Sequence, residues 1–154
     1  MKSVKFHRGL APLIEALCAP SLILNTDRIE TLLRSFEIDL TEIKPFVRFS
    51  ADQYTRNLVY GNDRFQILVL CWGPFHGSPV HAHGSSVCGV KVIAGAATES
   101  CYHTLNDPHP YSTRILAPND ITVGEGPDVH KVTNNSMESL ITLHVYSPPL
   151  VMIN

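Results

Sequence analysis

The stretch His81-Ala82-His83, taken with Cys88, His130 and Tyr146, combines the side chains of a metal site with those of a redox-active pair. In a strand, residues two apart point to one face, so His81 and His83 would project into the same space and could take neighbouring positions on one metal ion. The third ligand must come from elsewhere. His130 is the best candidate, on a separate short strand and with Asn134 shortly after it to orient a neighbouring loop. Three neutral imidazoles, with no carboxylate in reach of the motif, leave half an octahedron open, which suits a metal that binds a substrate and dioxygen together. An H-x-H pair is also what two exposed residues on an edge strand look like, and three histidines plus water is equally a catalytic zinc arrangement. His7, His76, His103 and His109 read as surface or turn residues with no ligand role.

Two further segments carry hydrogen-bonding chemistry. In Ile141-Thr142-Leu143-His144-Val145-Tyr146, strand periodicity puts Thr142, His144 and Tyr146 on one face and the three aliphatic residues on the other. Such a strand is either half exposed or lines a polar pocket, and by period alone the exposed reading is favoured. Tyr54 and Arg56, two apart on another strand, pose the same alternative. An inward guanidinium would need an anion, and a substrate carboxylate would supply one through a forked pair of charge-assisted bonds. From position alone, Arg56 reads as an exposed residue pairing with a surface acid.

The elements that must position these groups divide near residue 50. Before it the pattern is helical: a short amphipathic piece over Leu10 to Leu17, then Ile29, Leu32, Leu33 and Phe36 at helical spacing after the capping run Asn25-Thr26-Asp27, then one turn over Thr41 to Lys44 that Pro45 should stop. After it come short strands separated by turn residues: Tyr54–Tyr60, Phe65–Trp72, Val87–Ile93, Ala97–His103, Ser112–Leu116, Ile121–Val123, Val129–Val132 and Leu140–Tyr146. No helices alternate with them, so the expectation is a mainly β fold, a small barrel or sandwich with a helical N-terminal segment packed on it. Residues 1–154 are expected to form one domain, with 1–49 as the helical segment and 50–149 as the β body.

Composition narrows the function classes. Twelve basic against fourteen acidic residues, with no run of like charge, argue against nucleic acid as a partner. No stretch is long and apolar enough for a membrane span. The four cysteines fit neither a C-x-x-C knuckle nor a dense disulfide scaffold. The N-terminus imitates a signal peptide, but Pro12, Glu15 and Pro20 interrupt its apolar stretch, and a reducing cytoplasmic setting is expected.

The residues Tyr54-Thr55-Arg56-Asn57, Cys71-Trp72-Gly73, His81-Ala82-His83, Cys88, His130 and Leu143-His144-Val145-Tyr146-Ser147-Pro148-Pro149, in this order and spacing, resemble cysteine dioxygenase, a thiol dioxygenase family of the cupin superfamily. The resemblance covers about residues 50 to 149 and implies a cupin-type β-barrel or jelly-roll sandwich. It implies an Fe(II) ion held by His81, His83 and His130, with Cys88 standing where many other cupins carry a metal-binding glutamate. L-cysteine and O2 would be the substrates and cysteine sulfinic acid the product, an activity of cysteine catabolism and taurine biosynthesis. Arg56, helped by Tyr54, would hold the substrate carboxylate; Tyr146 would present its hydroxyl near the reacting atoms, oriented by His144 with Thr142 behind it. Cys88 and Tyr146 would form a thioether crosslink, and Ser147-Pro148 is a candidate cis bond. A monomer is expected. The alternatives are a dioxygenase of another small thiol such as 3-mercaptopropionate, which the combination of Cys88 and Arg56 disfavours, and a metal-binding cupin without oxygen chemistry.

Overall fold

Asn25 opens the main helix of the chain by accepting the backbone N–H of Arg28 on its side-chain oxygen at 2.8 Å, with Asp27 in the first turn and Arg34 in the last, the charge order that a helix dipole favours. In the computed structural model, which describes residues 7–150, this helix is α2 (Thr26–Ser35), preceded by β1 (His7–Arg8) and α1 (Leu10–Leu17) and followed by β2 (Phe36–Glu37), α3 (Leu40–Ile43) and a 3-10 turn over Lys44–Phe46. The α turn ends at Ile43, ahead of Pro45 as expected, and the chain continues in the 3-10 segment. Pro45 sits in the first turn of the 3-10 segment, where its missing N–H costs nothing.

Eight strands follow: β3 (Thr55–Gly61), β4 (Gln66–Trp72), β5 (Val87–Ala94), β6 (Ala97–Tyr102), β7 (Ser112–Leu116), β8 (Ile121–Gly124), β9 (Val129–Thr133) and β10 (Leu140–Ser147). They form an antiparallel sheet of order β3-β4-β10-β5-β8 and a second of order β7-β6-β9, while β1 and β2 make a small parallel pair. The body is the expected jelly-roll sandwich, with the helices gathered on one side.

The five-stranded sheet is the middle layer, and this explains its composition. One face, carrying Ile67, Val69, Ile141, Leu143 and Val145, packs on Leu13, Leu17, Ile29 and Leu33 of the helices. The opposite face, carrying Leu68, Leu70, Trp72, Val90, Val92 and Tyr146, packs toward Ala97, Leu116 and Val132 of the smaller sheet. Each fully buried aliphatic side chain contributes about 1.5–3 kcal/mol. Both faces of β10 are therefore buried, against the period-based expectation that Thr142, His144 and Tyr146 face water. Alternation reports two different environments, and here the polar one is the inside of the sandwich.

The helix layer is registered on β5 by two contacts. A Cβ on Gly89 would stand 2.3 Å from Ile29 Cγ2, so α2 lies directly on strand backbone. Buried Lys91 then donates from Nζ to the carbonyls of Leu33 at 2.8 Å and Phe36 at 2.7 Å, holding the C-terminal end of α2 to the strand.

Candidate metal centre

His130 lies on β9, but His81 and His83 do not lie on a regular strand, which corrects the strand geometry assumed from their spacing. They sit in the long connection between β4 and β5, where Pro79 has no N–H to offer a ladder and Gly84 turns the chain at φ 62°. The segment is pinned instead by an isolated bridge, in which the His81 N–H donates to the His130 carbonyl at 2.9 Å and the His130 N–H returns to His81 at 3.0 Å. The His83 N–H donates to the Gly126 carbonyl at 2.8 Å. Only glycine fits at 126, because a Cβ there would stand 1.8 Å from the Gly84 oxygen.

These contacts bring one ligand atom from each of His81, His83 and His130 within 4.8 Å of one another, so the three could hold a metal ion. The Nε2 atoms of His81 and His83 are 3.2 Å apart. Two nitrogens about 2.1 Å from one ion, at tetrahedral or octahedral angles, stand roughly 3.0–3.4 Å apart, so the spacing fits a shared ion. The outward nitrogens fit as well: His81 Nδ1 lies 2.8 Å from the Pro79 carbonyl and His130 Nδ1 lies 3.0 Å from Glu99 Oε2. Those partners hold the protons on Nδ1 and leave the Nε2 lone pairs free. Buried His83 Nδ1 has no hydrogen-bond partner among the described residues. Burial pushes the pKa of His81 down and, with the neighbouring His130, that of His83 down to about 3, so both offer neutral rings.

A chain of hydrogen bonds flanks the triad. Trp72 Nε1 donates to Thr142 Oγ1 at 3.0 Å, Thr142 Oγ1 is 2.7 Å from His144 Nε2, and His144 Nδ1 is 2.9 Å from the Tyr146 hydroxyl. Indole can only donate, so the Thr142 hydroxyl accepts there; Thr142 is fully buried and the acceptor its own proton faces is His144 Nε2, and with that nitrogen accepting, His144 donates from Nδ1 to the tyrosine oxygen. The Tyr146 O–H proton is then free to point elsewhere. Burial holds His144 well below the ordinary histidine pKa and Tyr146 well above the ordinary tyrosine value. The register places Cys88 directly opposite Tyr146 on β5 and Gln66 opposite it on β4, so all three share one face. Burial pushes the Cys88 thiol up to about 12 despite its hydrogen bond with Tyr146.

A cavity of about 320 Å³ opens onto this arrangement, lined by the three histidines, Cys88, His144 and Tyr146 on one side and by Tyr54 and Arg56 on the other. Tyr54 precedes β3 and stacks on Trp72, ring centroids 4.3 Å apart and planes 19° from parallel. Arg56 pairs in register with Leu70, which is paired with Thr142, so its side chain leaves the sheet on the cavity face. It is exposed, as position alone indicated, but among the described residues it pairs with no surface acid. The Ser147–Pro148 peptide is cis.

Residues 4–154 match the family model for cysteine dioxygenase type I. The chain belongs to that family. Human cysteine dioxygenase type 1 is 34% identical over 132 residues, covering 81% of this chain and 66% of the human protein, so the chain spans a little under two thirds of the length of that relative. Two solved structures show the same fold at low identity. A conserved protein with a double-stranded β-helix domain from Klebsiella pneumoniae superposes with a TM-score of 0.60 at 22% identity, over 69% of this chain and 86% of that one. An RmlC-like cupin from Desulfovibrio desulfuricans does so with a TM-score of 0.56 at 18% identity, over 68% and 91%. The family's fold is thus the cupin jelly roll, and its histidines sit where the two sheets meet at the cavity.

Two groups around this cysteine dioxygenase-type cavity escape a sequence reading. Trp72 anchors the Tyr146 chain through a partner far away in sequence, and Glu99 supplies the carboxylate that the spacing of the histidines gave no reason to expect. The signal for Glu99 is its register. It falls between Ala97 and Cys101 on the inward face of β6, where an acid needs partners.

Proposed function

We propose that the protein is an iron-dependent thiol dioxygenase that converts L-cysteine and O2 to cysteine sulfinic acid. The observation that carries this reading is the three-histidine cluster sharing one cavity with Arg56 and the Tyr146 hydroxyl, in a chain of the cysteine dioxygenase type I family. His81, His83 and His130 would hold Fe(II), which when bound supplies the one-electron chemistry that dioxygen needs and favours the thiolate form of the substrate.

The chain's own residues select and orient the thiol. Arg56, which pairs with no acid among the described residues, binds the carboxylate through two parallel N–H donors, and the Tyr54 hydroxyl is positioned by stacking on Trp72. Fixing the carboxylate at one end of the cavity sets how far the sulfur reaches toward the histidines, a gain in orientation. Tyr146 is held at its oxygen by His144 Nδ1–H, so it donates its own proton toward the oxygen or sulfur that carries developing negative charge. Buried aliphatic neighbours such as Leu70 and Val132 keep bulk water from this end of the cavity. The overall change balances without an external reductant: the sulfur loses four electrons, both oxygen atoms of O2 enter the product, and the thiol proton ends on the sulfinic acid.

Oxygen uptake by the iron-loaded protein, measured with L-cysteine and with 3-mercaptopropionate, tests the reading. Faster turnover of cysteine is expected. No uptake with either thiol would overturn the oxygenase assignment, and a preference for the thiol lacking an amine would overturn the substrate.

A further inference from the structure

We infer that Glu99 is a positioning residue for the metal, fixing the tautomer of His130 and supplying, among the described residues, the only carboxylate in contact with the three-histidine set. The inference rests on the metal-site reading and is independent of the thiol chemistry.

Glu99 is a charged residue in a place that disfavours charge. It is 3% exposed, on the inward face of β6, between the two sheets. An unpaired carboxylate there would cost several kcal/mol. Every part of it is engaged: Oε1 accepts Arg114 Nε at 3.0 Å and Nη2 at 2.8 Å, Thr122 Oγ1 lies 3.1 Å from Oε1, and Oε2 faces His130 Nδ1 at 3.0 Å. Arg114 comes from β7, Thr122 from β8 and His130 from β9, so three strands converge on one side chain. A purely structural ion pair needs only Arg114. The second oxygen faces the imidazole, with Thr122 Oγ1 3.2 Å away on its other side.

The three histidines are held unequally. Among the described residues, His81 Nδ1 faces a neutral carbonyl, His83 Nδ1 has no hydrogen-bond partner, and His130 alone of the three has an anion behind it. An ionised Glu99 can only accept, so it requires the proton of His130 on Nδ1 and leaves Nε2 as the donor atom. It also places a negative charge close to a bound cation, as carboxylates behind metal-bound histidines generally do.

A second cavity of about 350 Å³, lined by Glu99, Cys101, Arg114, Thr122 and Asp128, shares His83, Cys88 and His130 with the first. Arg114, with 52% of its side chain exposed, reaches Glu99 along its wall. This space gives a small carboxylate a route to the position that Glu99 occupies, and it supplies the decisive experiment.

Cobalt(II) binding, followed by its visible absorption, is compared for the wild type, Glu99→Ala and Glu99→Gln at matched ionic strength. Both variants should bind cobalt roughly 10- to 100-fold more weakly. Added formate should restore most of the loss in Glu99→Ala, because it can enter the second cavity and bridge Arg114 and His130, whereas formamide and chloride should not. Formate should leave the wild type unchanged. Undiminished affinity in both variants, or equal rescue by formate and formamide, would overturn the assignment. If Glu99→Ala does not fold, the long-range nitrogen–proton NMR spectrum of metal-free wild type decides: a proton on His130 Nδ1 supports the role, and one on Nε2 overturns it.

Discussion

Cys88 and Tyr146 stand directly opposite each other on β5 and β10, both buried and facing the cavity that holds the three histidines. With the thiol held up to about 12, Cys88 is a poor nucleophile in the resting protein. The thioether crosslink to the tyrosine ring that we propose would replace an S–H and a ring C–H by one S–C bond, which is a two-electron oxidation. After turnover with iron, cysteine and oxygen, a fraction of the protein should be lighter by two hydrogens in intact mass, the two electrons and two protons having gone to dioxygen as the sulfur–carbon bond formed. Cys88→Ser and Tyr146→Phe should show no such species. A mass loss that persists in either variant would place the bond elsewhere.

Iodoacetamide distinguishes the resting thiols. Cys18 and Cys101 are partly exposed, whereas Cys71 and Cys88 are buried. Native metal-free protein near neutral pH should be alkylated at the first two well before Cys88, and peptide mapping should detect Cys88 only after unfolding. Early labelling of Cys88 would contradict the burial that sets its pKa.

His144 makes stability pH-dependent in a defined direction. Burial holds its pKa well below the ordinary histidine value of about 6.5. The unfolded chain takes up this proton near 6.5 and the folded one does not, so its contribution is complete above that pH and falls as the pH drops toward the folded value. His81 and His83 act in the same sense when no metal is bound. In His144→Gln the urea midpoint should fall less steeply below pH 6.5, by up to about 1.4 kcal/mol per pH unit for the one proton removed. An unchanged slope would mean that His144 is protonated in the fold.

Arg56→Gln should raise KM for L-cysteine roughly ten- to a hundredfold, from the loss of charge-assisted bonds of about 1.5–3 kcal/mol, and should raise it far less for a thiol without a carboxylate such as cysteamine. Equal losses for both would mean that Arg56 acts on something other than the carboxylate.

The fit of α2 on β5 is tested at Gly89. Its close approach to Ile29 makes Gly89→Ala an overpacking change that should cost about 1–3 kcal/mol in urea unfolding. Adding Ile29→Ala should cost less in this background than in the wild type. Strictly additive losses would show that the helix does not rest on that residue.

Much of this was readable from local pattern, because strand alternation and a capped helix are written within a few residues. The strand holding His130, the cap at Asn25 and the shared face of Thr142, His144 and Tyr146 are of that kind. What escaped depends on what covers an element. The polar face of β10 reads as solvated until the second sheet closes over it, and the H-x-H segment reads as a strand although it meets only an isolated bridge. Glu99 was the least legible, since its partners Arg114, Thr122 and His130 lie on three other strands and only their convergence gives the carboxylate a purpose.

The most direct test supplies L-cysteine and oxygen-18 gas to protein of measured iron content, alongside His83→Ala. The wild type should form cysteine sulfinate carrying two labelled oxygens from one O2, in proportion to bound iron, and the variant should bind little iron and form no product. Iron-replete wild type that consumes no oxygen, or a product with a single labelled oxygen, would contradict the assignment.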